Sequence, residues 1–407
     1  MSSIAKSLLP TVAFLGASLV AVLGSALPGT PHAASGAEPT GQFVWFGTYT
    51  GGPANSEGIY VSRFDATTGK LTVPVLAAAV KNPSFLALHP TLPVMYAVSE
   101  VADTDGKPTG VVRSLAIDEA TGTLAAKNHQ SSGGSGPCHV SVDRSGKVAL
   151  AANYGGGSVI CFGLTADGSL EPVVAGTPGG FIQHEGKGPN PQRQEKPHGH
   201  SIYPTADGRF AVSCDLGADR VFVHALDVDK ATLASHGFGR GTPGAGPRHF
   251  AFHPGGRYGY AVNELDLTVT TFAFDPQAGT LAPIQTLSTL PADVTDTKGF
   301  STAEIAVHPS GRFLYASNRG HDSIAMVAVD QATGQLTFLG AEPIRGKTPR
   351  NFVIDPTGRF LLAAGQNSHT VTVFAIDAET GRLSFTGQSL DVPSPVCIRF
   401  RPTRPTP

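Results

Sequence analysis

Beyond residue 80 the chain alternates. Short runs with apolar residues at every second position are separated by clusters of Gly, Pro, Asp and Asn, the signature of strands joined by turns. Residues 248 to 288 show the pattern clearly. Arg248 to His253 predicts a strand, Pro254-Gly255-Gly256-Arg257 a turn, and Tyr258 to Asn263 a second strand. Thr268 to Phe274 alternates as a third strand, Asp275 to Gly279 makes a tight turn, and the apolar residues after Leu281 form a fourth. The frame recurs as Pro, six residues, Pro or Asp, one residue, Gly, often Arg, then an apolar run ending near Asn. Copies start at Pro83, Pro137, Pro197, Pro247, Thr302, Pro349 and Pro395, spaced 54, 60, 50, 55, 47 and 46 residues apart. Four strands per period of roughly 40 to 50 residues is the arithmetic of a propeller blade.

The turn Asp-x-x-x-Gly-x-Leu gives an independent count. Its glycines are Gly69, Gly122, Gly168, Gly279, Gly334 and Gly381, with a degenerate copy at Asp227 to Leu233, so seven turns match seven starts. The last copy stops at Phe400 after one strand, and the first turn has no start before it. Phe43 to Thr48 aligns with Phe313 to Asn318, a second strand. The N-terminal strands therefore complete the blade whose inner strand is Val396 to Phe400, leaving no full sheet edge open. The expected fold is all-β: a seven-bladed β-propeller, one domain over residues 42–401, its last blade closed by N-terminal strands.

Residues 1–37 differ in kind. Lys6, an apolar run from Leu8 to Leu23, then small residues and prolines read as a signal peptide and linker. The run is short for a membrane span. The expected location is therefore outside the cytoplasm, with an uncleaved N-terminal anchor as the alternative. The chain is 15% charged with a formal net charge of -2, and no basic run points to nucleic acid or an anionic membrane surface. Cys138, Cys161, Cys214 and Cys397 show no C-x-x-C spacing. They read as buried free thiols, and no metal or other cofactor is expected.

Chemistry is expected where the repeat varies. In a propeller the first strand of each blade starts, and the second ends, on one face beside the central channel. The residues after the repeat Pro form one ring: Ser84, Cys138, His198, Arg248, Ala303, Arg350 and Val396. The residues after the repeat Asn form another: Glu100, Tyr154, Leu216, Glu264, Arg319, Asn367 and Tyr49. Polar groups converging on one cavity mark a site. The turn arginines Arg209, Arg257, Arg312 and Arg359 repeat at the opposite end and read as structural. Between the second and third starts lies an insertion, Gly186 to Ser201, that carries Arg193 and Gln194 and ends in His198 and His200.

Four segments carry a resemblance: Gly-Pro-Asn-Pro-Gln-Arg-Gln-Glu-Lys-Pro-His-Gly-His-Ser, Gly-Pro-Arg-His-Phe-Ala-Phe-His-Pro, Val-Asn-Glu and Ser-Asn-Arg-Gly-His-Asp-Ser-Ile. Over about residues 42 to 400 the chain resembles the lactonase family of seven-bladed propellers, which includes propeller-type 6-phosphogluconolactonases and the fungal carboxy-muconate lactonising enzyme. The resemblance implies a small-molecule lactone substrate and places active-site groups on His198, Arg248, Glu264 and Arg319. His200 also fits many members. Arg193, Gln194, Tyr154, Arg350 and Asn367 are the candidate substrate-binding residues around them.

That set fits lactone hydrolysis. A neutral His198 would take a proton from the attacking water. Arginine would stabilise the oxyanion or hold an anionic group, and Glu264 would return the proton or orient its neighbours. The plainer readings are that His198 and His200 make structural hydrogen bonds, that Arg248 and Arg319 pair with Glu264 and Glu304, and that His139, His249, His253 and His308 are structural. A lactonising cycloisomerase and a non-catalytic extracellular binding propeller are the other functions the sequence allows. The departure from the family is the leader, which a cytosolic sugar-phosphate lactonase does not need.

Overall fold

The computed structural model describes residues 41–173 and 179–401. The leader expected over residues 1–37 lies outside them. Among the described residues no helix is long and apolar enough to cross a membrane.

Seven antiparallel sheets form, blades 1 to 7 in the order of the starts Pro83 to Pro395; six are built from consecutive strands, the seventh joins the last strand of the chain to the first ones, and every inner strand starts near one of the predicted repeat starts. Blade 4 shows the register: Pro247–Phe252, Tyr258–Asn263, Thr268–Asp275 and Thr280–Ser288, close to the strands predicted from alternation. Inner strands are buried on both faces while outer strands alternate with solvent, as expected for sheets stacked face to face around an axis. The outer strand of blade 2 is short, only Phe181–Gln183, and the insertion follows it.

Blade 7 closes the ring as the alignment predicted. Gln42–Thr48 pairs antiparallel with Pro395–Phe400 on one side and with Gly58–Asp65 on the other. Trp45, fully buried, donates its indole N–H to the carbonyl of Gly122 in blade 1 at 2.8 Å.

The repeated turn is the clamp between blades. Asp275 accepts the amides of Gln277 and Ala278 on its carboxylate, and its carbonyl accepts the amide of Gly279 at 2.8 Å. Gly279 has φ +64, and a Cβ there would overlap the Phe210 ring of blade 3, so both backbone conformation and clearance require glycine. Arg209 reaches from blade 3 to the carbonyl of Pro276 in the same turn. Arg257, Arg312 and Arg359 bond the next turns in the same way, which bears out their structural reading. The His-Pro turns add a second clamp: His308 bonds the carbonyl of Gly358, and His253 that of Gly311. All four cysteines are free and buried.

The closing strand has no substitute, because without it both neighbouring strands lose a hydrogen-bonded partner. A chain that begins at Tyr49 should lose cooperative unfolding. Thermal melts followed by circular dichroism check this against a chain beginning at Gly41.

Candidate active site

Six of the seven inner strands, all but Leu86–Leu88, carry a β-bulge near their start. Between Pro247 and His249 the register against Val262 and Asn263 slips by one, so Arg248 opposes no residue. The same slip isolates Cys138, His200 and Arg350. A bulge re-aims the extra side chain, and here all four line one axial cavity with Ser84, Phe85, Glu100, His249 and Val396. The cavity measures about 10 Å³, the order of space one water needs.

Two register expectations require correction. In blade 3 the strand begins at Gly199, which faces Asp215 as Pro137 faces Asn153. His200 therefore holds the ring position expected for His198. Pro197 imitates the repeat proline two residues too early. His198 stands at the rim instead, its carbonyl accepting the amide of Leu216. In blade 6, Gly365 replaces the repeat Asn, so Gln366 follows it at the mouth, while Asn367 is exposed one residue beyond. Gln194 also departs from expectation. Its Nε2 donates to the Leu216 carbonyl (2.9 Å) and to Asp219 (3.0 Å), and its Oε1 accepts from the Asn190 amide. Fully buried, it anchors the insertion and has no group left for a substrate.

The insertion delivers Arg193 and His198 over the mouth. His198 stacks on Tyr154 at 4.6 Å, with Nδ1 at 3.0 Å from the Tyr154 carbonyl and Nε2 at 3.2 Å from Glu195. Arg193 donates to Glu264 at 2.6 Å and to the Tyr154 hydroxyl at 3.3 Å. Arg248 donates through Nε to Glu264 at 3.0 Å, and Arg319 lies 3.1 Å from the same carboxylate. Glu264 thus gathers three of the expected residues around itself. Burial alone would raise its pKa, but Arg319, Arg248 and Arg193 outweigh that and hold it at about 2.

Below the rim, Arg248 donates Nη1 to the Ala303 carbonyl at 2.6 Å and approaches His249 Nε2 at 3.3 Å. His249 in turn holds Glu304 at 2.7 Å, so Glu304 pairs with an imidazole and not with an arginine. Burial keeps His249 neutral, its pKa down at about 4 despite Glu304. His200 is likewise held well below the ordinary imidazole range, by burial first and then by Arg248, His249 and Arg350. Cys138 donates to the His200 carbonyl at 3.4 Å, and burial pushes the thiol far up, which disfavours thiolate chemistry.

Across the cavity stands a second polar group. Arg350 donates to the Tyr49 hydroxyl at 2.9 Å, Tyr49 donates to Glu100 Oε2 at 2.9 Å, and Ser84 donates to the same oxygen. Of these, only Arg350 was expected as a site residue. Ser84, Tyr49 and Glu100 stood in the predicted rings, and their ring positions were the signal. His184, on the inserted side, bonds Asp215 at 2.8 Å, and Ser213 bonds His224 at 2.8 Å, a buried cluster away from the axial cavity. Among the described residues no group of three or more His, Cys, Asp or Glu is placed to hold a metal ion.

A family model described as "Lactonase, 7-bladed beta-propeller" matches residues 43–400. The chain belongs to this family of lactonases. It is 40% identical over 357 residues to a 6-phosphogluconolactonase of Bacillus subtilis, covering 88% of this chain and 97% of that one. A 6-phosphogluconolactonase of Formosa agariphila is 33% identical over 301 residues, 72% of this chain and 81% of the relative. Among solved structures, the periplasmic gluconolactonase of Pseudomonas aeruginosa superposes with a TM-score of 0.81 at 34% identity, over 89% of this chain and 99% of that one.

The depressed pKa of Glu264 carries a stability consequence. A carboxyl with a lowered folded pKa stabilises the fold above its unfolded value of about 4.3. That contribution is lost as pH falls through the folded value. Glu264→Gln should destabilise by about 3 kcal/mol at pH 7, because two largely buried guanidiniums lose their counter-ion. The gap to wild type should narrow between pH 4 and pH 2, read by denaturant melts at each pH.

Proposed function

We propose that this lactonase hydrolyses an anionic sugar lactone, one bearing a phosphate or carboxylate, and does so outside the cytoplasm. The observation that carries this reading is the imbalance at the mouth. Arg193, Arg248, Arg319 and Arg350 converge there, against the carboxylates of Glu264, Glu100 and, beside His198 at the rim, Glu195. A mouth with surplus positive charge draws and orients an anion.

Roles follow from depth. Arg248 and Arg350 line the axial cavity and meet the oxyanion formed when water attacks the carbonyl carbon. Arg319 has a buried Nε with no hydrogen-bond partner among the described residues, and the Arg193 side chain is 40% exposed. These two, at the rim, hold the anionic substituent. Tyr154 and His198 present stacked rings to one side of the sugar, and His200, kept neutral, accepts a hydrogen bond from the water. The 6-phosphogluconolactonase of B. subtilis and the periplasmic gluconolactonase of P. aeruginosa support a six-carbon sugar lactone. The periplasmic enzyme and the leader-like first 37 residues support export.

A lactone panel assayed by pH-stat tests this reading. Neutral gluconolactone, its 6-phosphate and a carboxylate-bearing sugar lactone are compared. The anionic forms should show kcat/KM at least roughly tenfold higher, the size of one charge-assisted contact. Arg319→Met should raise KM for the anionic forms and leave the neutral one within about twofold. Equal kcat/KM for neutral and anionic lactones would remove the anion from the reading, and His200→Ala at wild-type kcat would remove the imidazole.

A further inference from the structure

The two carboxylates at the mouth are not equivalent. Glu264 is bound by three guanidiniums, and a carboxylate so clamped cannot accept a proton and give it back within a catalytic cycle. Glu100 accepts from neutral hydroxyls only, those of Ser84 and Tyr49, both on Oε2. Its Oε1 has no hydrogen-bond partner among the described residues. No hydrogen bond joins it to Arg350, which is linked to it through the Tyr49 hydroxyl. Glu100, not Glu264, lines the axial cavity beside His200, Arg248 and Arg350.

We propose that Glu100 is the general base and acid of the hydrolysis, acting on a water held between its Oε1 and His200. The assignment rests on the lactone-hydrolysis reading above. Water donates one O–H to Glu100 and the other to the lone pair of His200, which leaves a lone pair of its oxygen for the carbonyl carbon of a lactone on the rim. As the C–O bond to water forms, its proton moves to Glu100, and the carbonyl oxygen becomes an oxyanion facing Arg248 and Arg350. The bond from that carbon to the ring oxygen then breaks. The proton on Glu100 passes to the leaving ring oxygen, which becomes a hydroxyl. One lactone and one water give one hydroxy acid, and Glu100 returns to its carboxylate form.

The choice of Glu100 over His200 follows from charge. An imidazolium at His200 would face Arg248 and Arg350, and burial opposes it further. A carboxylate that gains a proton instead loses a charge on burial. Tyr49, whose own proton is held well above the ordinary phenol range by burial, stays a donor to Oε2 throughout and leaves Oε1 to the water. Cys138 remains a thiol beside this pair and takes no part.

Glu100→Gln, which keeps the shape and the Tyr49 contact, should lower kcat about a hundredfold or more with little change in KM. It should also flatten the acid limb of the pH–kcat profile. Glu100→Ala with added formate should recover a measurable share of the rate, because formate can occupy the vacated carboxylate position. Tyr49→Phe should cost about tenfold and displace the acid limb. Glu100→Gln within threefold of wild-type kcat would overturn the assignment, as would formate that leaves Glu100→Ala unchanged. Should the Glu100 variants fail to fold, Tyr49→Phe decides, and an undisplaced profile overturns the assignment. A wild-type protein inactive on every lactone would defeat the hydrolysis reading itself. An active wild type with an active Glu100→Gln defeats only the assignment to Glu100.

Discussion

Everything at the mouth depends on one pairing, that of Val44 to Thr48 with Pro395 to Phe400. A propeller sheet is stable when its faces are covered and its inner strands lie side by side around an axis. The closing strand supplies the last of these contacts with residues far apart in sequence. Tyr49 follows its last residue directly, so the step that shuts the ring sets the hydroxyl linking Arg350 to Glu100. Fold closure and site assembly are one event here. Neither the N-terminal nor the C-terminal half of the chain contains a complete site.

Within the closed ring, electrostatics divides labour between two carboxylates a few blades apart. Glu264 neutralises part of a guanidinium cluster that would otherwise repel itself. Glu100 is held by hydroxyls and keeps one oxygen uncommitted. The same side-chain type serves as counter-ion in one place and as proton carrier in the other, because its neighbours differ in charge. His249 and Glu304 complete the support beneath Arg248, fixing the guanidinium from below while Glu264 fixes it from the side.

Much of this was legible in the sequence. Alternation and turn residues are set locally, so strand positions in blade 4 and the structural turn arginines could be read directly. The family motifs led to Arg248, Glu264 and Arg319, and the structure brings these together with Arg193 around one carboxylate. Register at the mouth was harder to read. Pro197 imitates the repeat proline, and only the pairing of Gly199 with Asp215 shows that His200 is the ring residue. Gly365 in place of Asn hid the position of Gln366. Gln194 reads as polar and exposed in an amide-rich loop, yet the loop folds back and consumes its amide. Glu100 carried no motif, and its distinction from Glu264 lies in what surrounds each carboxylate, which linear spacing does not record.

The bulge near the start of six inner strands has a consequence for how such a protein can change over time. A bulged residue has no cross-strand partner, so the ladder places no demand on its size, branching or polarity. The ring can therefore hold Cys138, His200, Arg248 and Arg350 on nearly identical backbone. Mutational drift at these positions would alter the chemistry one blade at a time while the scaffold stays the same. The turn glycines Gly69, Gly122, Gly279, Gly334 and Gly381 lack this freedom, since each is fixed by its own conformation and by the aromatic ring next door. Innovation and constraint thus sit at opposite ends of the same strands.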